Sequence, residues 1–115
     1  VSQNCIFCKI VAGKIGGKLL YQDDEVTAFR DINPQAPTHI LLIPNKHITS
    51  TSHALQEDQA ILGKLLLTAA QVAKQENVAD SGYRLVINKG DHGGQTVFHL
   101  HVHLLAGRPM TWPPG

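Results

Sequence analysis

The sequence predicts an α+β domain in which a mostly antiparallel, five-stranded sheet carries one long helix on one face. Three observations point there. Between Gln56 and about Asn77, the apolar residues Ile61, Leu62, Leu65, Leu66, Ala69, Val72 and Ala73 recur at three- and four-residue intervals, the period of a helix with one buried face. The β-prone runs elsewhere are short and joined by turn-like connections. A length of 115 residues with 43% apolar content suffices for one core but not two, so residues 1–115 are expected to form a single domain. Within it, residues 1–4 are expected to be flexible and residues 106–115 to form a C-terminal tail whose end, Trp112-Pro113-Pro114-Gly115, is extended.

The elements follow in order. Cys5 to Lys14 mixes small and apolar side chains before Gly16-Gly17, which reads as a short N-terminal helix with a glycine stop. Leu19 to Gln22 and Val26 to Asp31 flank the turn dipeptide Asp23-Asp24 and predict a hairpin. Asn33-Pro34-Gln35-Ala36-Pro37 interrupts, because proline removes backbone donors and restricts the residue before it. A third strand runs from Thr38 to Ile43 and ends at Pro44-Asn45. After the long helix, Tyr83 to Asn88 is a fourth strand, Lys89 to Gln95 a glycine-rich turn, and Val97 to Leu105 a fifth strand.

Composition excludes several functions. Ten Lys and Arg against nine Asp and Glu leave a formal net charge of +1 with no block of like charge, so no electrostatic footprint for a nucleic-acid polymer is present. No apolar run approaches the ~20 residues that span a bilayer, and the N-terminus lacks the layout of a signal peptide. The expectation is a soluble cytoplasmic protein without membrane partners, although Val1 at the start leaves room for a removed targeting segment. Neither a dinucleotide fingerprint nor a P-loop occurs, which disfavours a dehydrogenase or kinase.

Histidine carries the chemistry. His99, His101 and His103 alternate with Leu100, Val102 and Leu104, so on a strand the apolar set packs under the helix while three imidazoles share the other face at ~7 Å intervals. Three cations that close would repel, so some of these rings are expected to be neutral near pH 7 and usable as nucleophile, ligand or proton carrier. Upstream, Gly93-Gly94-Gln95-Thr96 offers backbone amides and a hydroxyl as an anion cradle, within reach of Asn88. His53 and His92 read as solvated residues of a linker and a turn. Cys5-Ile6-Phe7-Cys8 is a C-x-x-C pair, which in an intracellular protein suggests metal or redox chemistry more than a disulfide. A thioredoxin-like role is weaker, because the strand-then-helix context is missing.

The run His99-Leu100-His101-Val102-His103-Leu104-Leu105, with Gly94-Gln95-Thr96 before it and Gly107-Arg108 and Trp112-Pro113-Pro114-Gly115 after it, resembles the histidine triad (HIT) family, in particular its Hint branch of nucleoside phosphoramidases. The resemblance extends through Tyr21-Gln22-Asp23-Asp24, Phe29 to His39 and Ile43 to Ile48, nearly the whole chain from residue 5. It implies a HIT-like fold and a purine nucleoside phosphoramidase or adenylyl hydrolase that works through a covalent nucleotidyl-histidine. His101 would be the nucleophile. His103 would assist proton transfer, His99 would complete the triad, and His39 would lie behind it and orient it. Asn88, Gly94, Gln95 and Thr96 would hold phosphate oxygens, Asp31 would pair with the ribose hydroxyls, and Ile32, Phe29 and Leu42 are candidates for the walls of the base pocket. Relatives form homodimers in which the tail reaches the partner's site, so Trp112 would shape substrate choice in trans.

Zinc-binding relatives in the wider superfamily imply a structural site formed by Cys5, Cys8, His47 and His99, with no metal required for the chemistry. Three rival functions stand beside this one. A dinucleoside polyphosphate hydrolase is also an enzyme but belongs to another branch, and the WPPG tail argues against it; a nucleotide-binding regulatory or scaffold protein would be indifferent to turnover; and a small zinc protein would use its histidines structurally.

Overall fold

A computed structural model describes residues 4–115. Of the expected flexible N-terminus, residues 1–3 lie outside the described residues, and Asn4 is an exposed turn residue. Helix α1 spans Ile6–Val11, and strands β1 (Leu19–Gln22), β2 (Val26–Arg30) and β3 (Thr38–Pro44) follow. Two single-turn 3-10 segments, Thr51–His53 and Gln56–Asp58, lead into helix α2 (Gln59–Gln75). Then come β4 (Tyr83–Val86), a one-turn helix α3 (Gly90–Gly93) and β5 (Val102–Ala106). The sheet order is β1-β2-β3-β5-β4 with every pairing antiparallel, more uniform than the mostly antiparallel sheet expected.

The period of two sorts the sheet into two faces. Val26, Ala28, Ile40, Leu42, Val102, Leu104 and Ala106 point toward α2 and close a core with Leu65, Ala69, Val72 and Ala73. Phe29, Leu41 and Ile43 point the other way and pack with Phe7 of α1. Helix α2 ends because Asn77 adopts a left-handed φ of 62°, with Val78 N–H donating to Ala73 O at 2.9 Å and Asn77 N–H to Lys74 O at 3.1 Å. That pair of bonds satisfies carbonyls the last turn would otherwise leave open. Leu66, which the periodicity assigns to the buried face, is 47% exposed beside the 74% exposed Leu67.

The fifth strand differs most from expectation. It begins at Val102, not Val97, because its partner strand runs out: Leu42 pairs with Val102, and Pro44 brings no N–H to extend the ladder. Residues 97–101 are held instead by Leu100 N–H donating to Ile48 O at 2.6 Å and by the Gln95 side-chain amide donating to Val97 O at 3.1 Å. Only His103 of the three histidines therefore sits on a strand, and the even row of imidazoles becomes a divergent set.

Candidate active site

A cleft of about 940 Å3 opens on the sheet face opposite α2. Its polar end holds His39, His101, His103, Asp31 and Thr96, and its apolar end Ile6, Phe7 and Ile10 of α1 with Leu19, Phe29 and Ile32. Such a mixture suits a flat heterocycle joined to an anion.

The hydrogen bonds assign the ring protons. His101 Nδ1 lies 2.7 Å from His99 O, a carbonyl that can only accept, so Nδ1 carries the proton and Nε2 keeps its lone pair. Gln35 N–H donates to His39 Nδ1 at 3.0 Å, which places the His39 proton on Nε2, and that Nε2–H donates to His103 Nδ1 at 2.9 Å. Neutral His103 then bears its own proton on Nε2. The His101 and His103 rings meet edge to face at 4.9 Å, and Phe7 packs edge-on against His101 at 5.2 Å. Burial pushes the His103 pKa down to about 4, helped by His101 and His39 and opposed by the Asp31 carboxylate. Burial also lowers His39, again against Asp31, whose Oδ2 is 3.5 Å from His39 Nε2. With both rings neutral, the site therefore offers the Nε2 lone pair of His101 next to an N–H on His103.

His99 points elsewhere. Its fully buried ring donates Nε2–H to Pro44 O at 2.8 Å, leaving the Nδ1 lone pair 3.4 Å from Cys5 Sγ and 3.6 Å from Cys8 Sγ. His47 Nδ1 is 3.3 Å from Cys8 Sγ, and the four ligand atoms all lie within 4.8 Å of one another. The set fits a tetrahedral metal ion, whose ligand-to-ligand edges are ~3.3–3.8 Å, and the backbone carbonyl behind His99 fixes the tautomer a metal needs. Burial pushes His99 down to about 4, with His47 and His101 adding to the effect and the Pro44 bond opposing it. Asp31, His39 and His103 also cluster within 4.8 Å. There the chemistry fails for a metal, because the Gln35 amide occupies His39 Nδ1 and leaves Nε2 protonated.

Several expected site residues take other roles. The side chain of Gln95 accepts from Gly90 N–H at 3.0 Å and donates to Thr49 O at 2.8 Å and Val97 O at 3.1 Å, so it pins the loop and does not hold phosphate. The proposed amide cradle is half closed, since Gly94 N–H bonds Asp91 O and Gln95 N–H bonds Gly90 O. Gly94 and Thr96 do line the cleft, whereas Asn88 lies under Gly93 and outside the lining. Leu42 faces the α2 core and is no wall of the cleft, while Phe29 and the fully exposed Ile32 are in the lining. His99 shares its ring with the cysteines and meets the site only through its carbonyl. Trp112 lies 81% exposed beneath the Arg84 guanidinium, 5.8 Å from the ring centroid. His53 and His92 are exposed, as expected. Sequence reasoning missed Ile6, Phe7 and Ile10, although their i, i+1 and i+4 spacing on a helix capped by Cys5 and carrying Cys8 places one apolar stripe beside the ligands.

Comparison with known proteins agrees with this geometry. The HIT domain model matches residues 12–110. The chain is 50% identical over 110 residues to the purine nucleoside phosphoramidase of Escherichia coli K12, covering 96% of this chain and 92% of that protein. It is 52% identical to an uncharacterised HIT-like protein of Synechococcus elongatus over the full length of both. The crystal structure of a HIT family hydrolase from Legionella pneumophila superposes with a TM-score of 0.94 at 49% identity, covering 97% of this chain and all of that one. A histidine triad protein from Clostridium difficile follows with a TM-score of 0.93 at 40% identity, covering 96% of each chain. With the triad, the fold and these likenesses in agreement, the chain belongs to the HIT domain family.

Proposed function

We propose that the protein is a hydrolase that cleaves purine nucleoside 5′-phosphoramidates, and acyl-adenylates by the same route, through a nucleotide covalently held on His101. The observation that carries this reading is the His101 Nδ1–H bond to the His99 carbonyl, which aims the Nε2 lone pair at a cleft with one apolar and one polar end. Half of the aligned residues are those of the Escherichia coli purine nucleoside phosphoramidase, which supports the same assignment.

In the first half-reaction the His101 Nε2 lone pair forms a bond to the α-phosphorus and the P–N bond to the leaving amine breaks. The departing nitrogen takes the Nε2 proton of His103. Water then attacks the phosphorus, the bond to His101 breaks, and the vacated Nε2 of His103 takes the water proton, so the products are the nucleoside monophosphate and the amine and His103 returns to its starting form. His39 holds the His103 ring from behind. Thr96, whose amide and hydroxyl have no other partner among the described residues, and the Gly94 turn meet the phosphate oxygens. Asp31, at the junction of the polar and apolar ends, pairs with the ribose hydroxyls, and Phe7, Ile10, Phe29 and Ile32 hold the base.

We further propose that Cys5, Cys8, His47 and His99 bind zinc as a structural ion, which ties α1 to the sheet and stands apart from the reaction. Paired reduced thiols suit the cytoplasm, where we place the protein. The exposed Leu66, Leu67, Phe98 and Trp112 support assembly as a homodimer.

The test is steady-state hydrolysis of an adenosine phosphoramidate bearing a fluorogenic amine by wild type and His101→Ala, with metal content measured on both. Turnover by wild type that is lost in a folded, metal-containing variant is expected. No turnover by the folded, metal-replete wild type overturns the assignment.

A further inference from the structure

The proton that His103 offers depends on which nitrogen of His39 is protonated, and two groups favour Nε2: the Gln35 N–H, 3.0 Å from His39 Nδ1, and the Asp31 carboxylate, whose Oδ2 is 3.5 Å from His39 Nε2. Gln35 lies in the loop between β2 and β3, where regular pairing does not hold the backbone. What holds it is the start of the C-terminal tail. Arg108 Nη2 donates to Gln35 O at 3.0 Å while its Nη1 donates to Pro109 O at 3.2 Å, so one planar fork ties the loop to the tail. Gly107, immediately before it, has a φ of 93° and approaches so closely that a Cβ there would sit 2.7 Å from Pro37 Cβ. Only glycine permits both that backbone and that contact. From the other side the loop is pinned by Asn33 N–H donating to Asp31 Oδ1 at 2.8 Å and by the Gln35 side-chain Nε2 donating to Asn33 O at 3.1 Å.

We propose that Arg108 is a positioning residue, acting through the Gln35 main chain to hold His39 in the tautomer that leaves His103 with its proton on Nε2. Arg108 itself touches neither histidine and does not line the cleft. If the Gln35 N–H swings away, His39 is free to carry its proton on Nδ1. Its Nε2 then becomes an acceptor, His103 turns its own proton onto Nδ1 to meet it, and the leaving nitrogen loses its donor. The nucleophile is unaffected, because His101 takes its tautomer from the His99 carbonyl. The defect is therefore selective for leaving groups that need a proton. This inference rests on the phosphoramidase reading above.

The test uses two adenosine substrates, an alkylamine phosphoramidate whose amine must be protonated and the 4-nitrophenyl phosphate ester whose phenolate leaves without a proton. For Arg108→Ala, kcat on the phosphoramidate is expected to fall about tenfold while kcat on the ester stays within about twofold. Arg108→Lys, which keeps one donor for the Gln35 carbonyl, restores part of the loss and serves if the alanine variant folds poorly. Nitrogen-15 spectra of the His39 ring, which read directly which nitrogen carries the proton, shift from the Nε2–H form toward a mixture in Arg108→Ala. Equal loss on both substrates, no loss on either, or an unchanged His39 tautomer in a variant with the kinetic split overturns the inference. Absence of wild-type turnover on both substrates instead overturns the phosphoramidase reading itself.

Discussion

Two side-chain clusters each draw one histidine from the short stretch His99 to His103, and they are wired in opposite senses. At Cys5, Cys8, His47 and His99, a backbone carbonyl of Pro44 takes the far proton of His99 and turns its lone pair inward to the thiols. At Asp31, His39 and His103, a backbone amide of Gln35 takes the far lone pair of His39 and turns its proton inward. Each holds two histidines, with two thiols in the first and one carboxylate in the second, and the polar atoms of each lie within 4.8 Å of one another. Beside the thiols, what suits one set to hold a metal and the other to pass a proton is whether the outer backbone partner is an acceptor or a donor. His101 stands between them and borrows from the first to serve the second, since its proton is held by the carbonyl of His99.

The contrast can be broken most severely at His101. Its replacement by alanine is expected to lower kcat/KM by at least about 1,000-fold while metal content and thermal midpoint stay near wild type. A variant that also sheds metal would show that the two clusters are not separable. The next largest effect is on stability. Cys8→Ser, at a 2% exposed position, is expected to abolish metal binding and lower Tm by about 10 °C or more, read by calorimetry with and without chelator. Chelation should then move wild type to the variant's Tm and leave the variant unmoved.

His39→Gln sharpens the comparison from the relay side. Metal content should be unchanged, and turnover of an alkylamine phosphoramidate should fall about 10- to 100-fold, because His103 loses the donor that fixes its proton. The smallest effect is the dependence of stability on pH. Histidine in the unfolded chain titrates near 6.5 while folded His103 is held at about 4, so between those values the unfolded chain binds the extra proton. Stability therefore falls as pH drops from 6.5 toward 4 and this contribution is fully lost below 4. His39, lowered by burial, acts in the same direction. Denaturant midpoints for His103→Gln should show a shallower slope in that window, and identical slopes in variant and wild type would contradict the assignment.

Much of this arrangement was legible before any coordinates. The helical period of Ile61 to Ala73 and the turn pairs between short strands carry local information, and the structure places those elements close to where the pattern does. The alternation of histidine with Leu100, Val102 and Leu104 separated core from chemistry correctly, since Leu100 and Leu104 are buried under α2. Where the reading ran short, the cause was non-local. The start of β5 is decided by Pro44, more than 50 positions away in the chain, as is the direction in which His99 points. The Gln95 side chain was assigned to phosphate because its partners Thr49 and Gly90 are invisible to a reading along the chain. Phe7 was passed over as part of a cysteine motif, although it packs against both His99 and His101.

The central claim is that, of the histidines in this stretch, only His101 has a lone pair aimed at the cleft. The most direct measurement is to mix enzyme with an adenosine phosphoramidate, quench in base because a phosphorus bond to histidine is acid-labile, and map the modified peptide by mass spectrometry. The account predicts a single adenylylated residue at His101 that appears within one turnover and is absent from His101→Ala. Modification at His99 or His103, or turnover with no covalent nucleotide at any quench time, would contradict it.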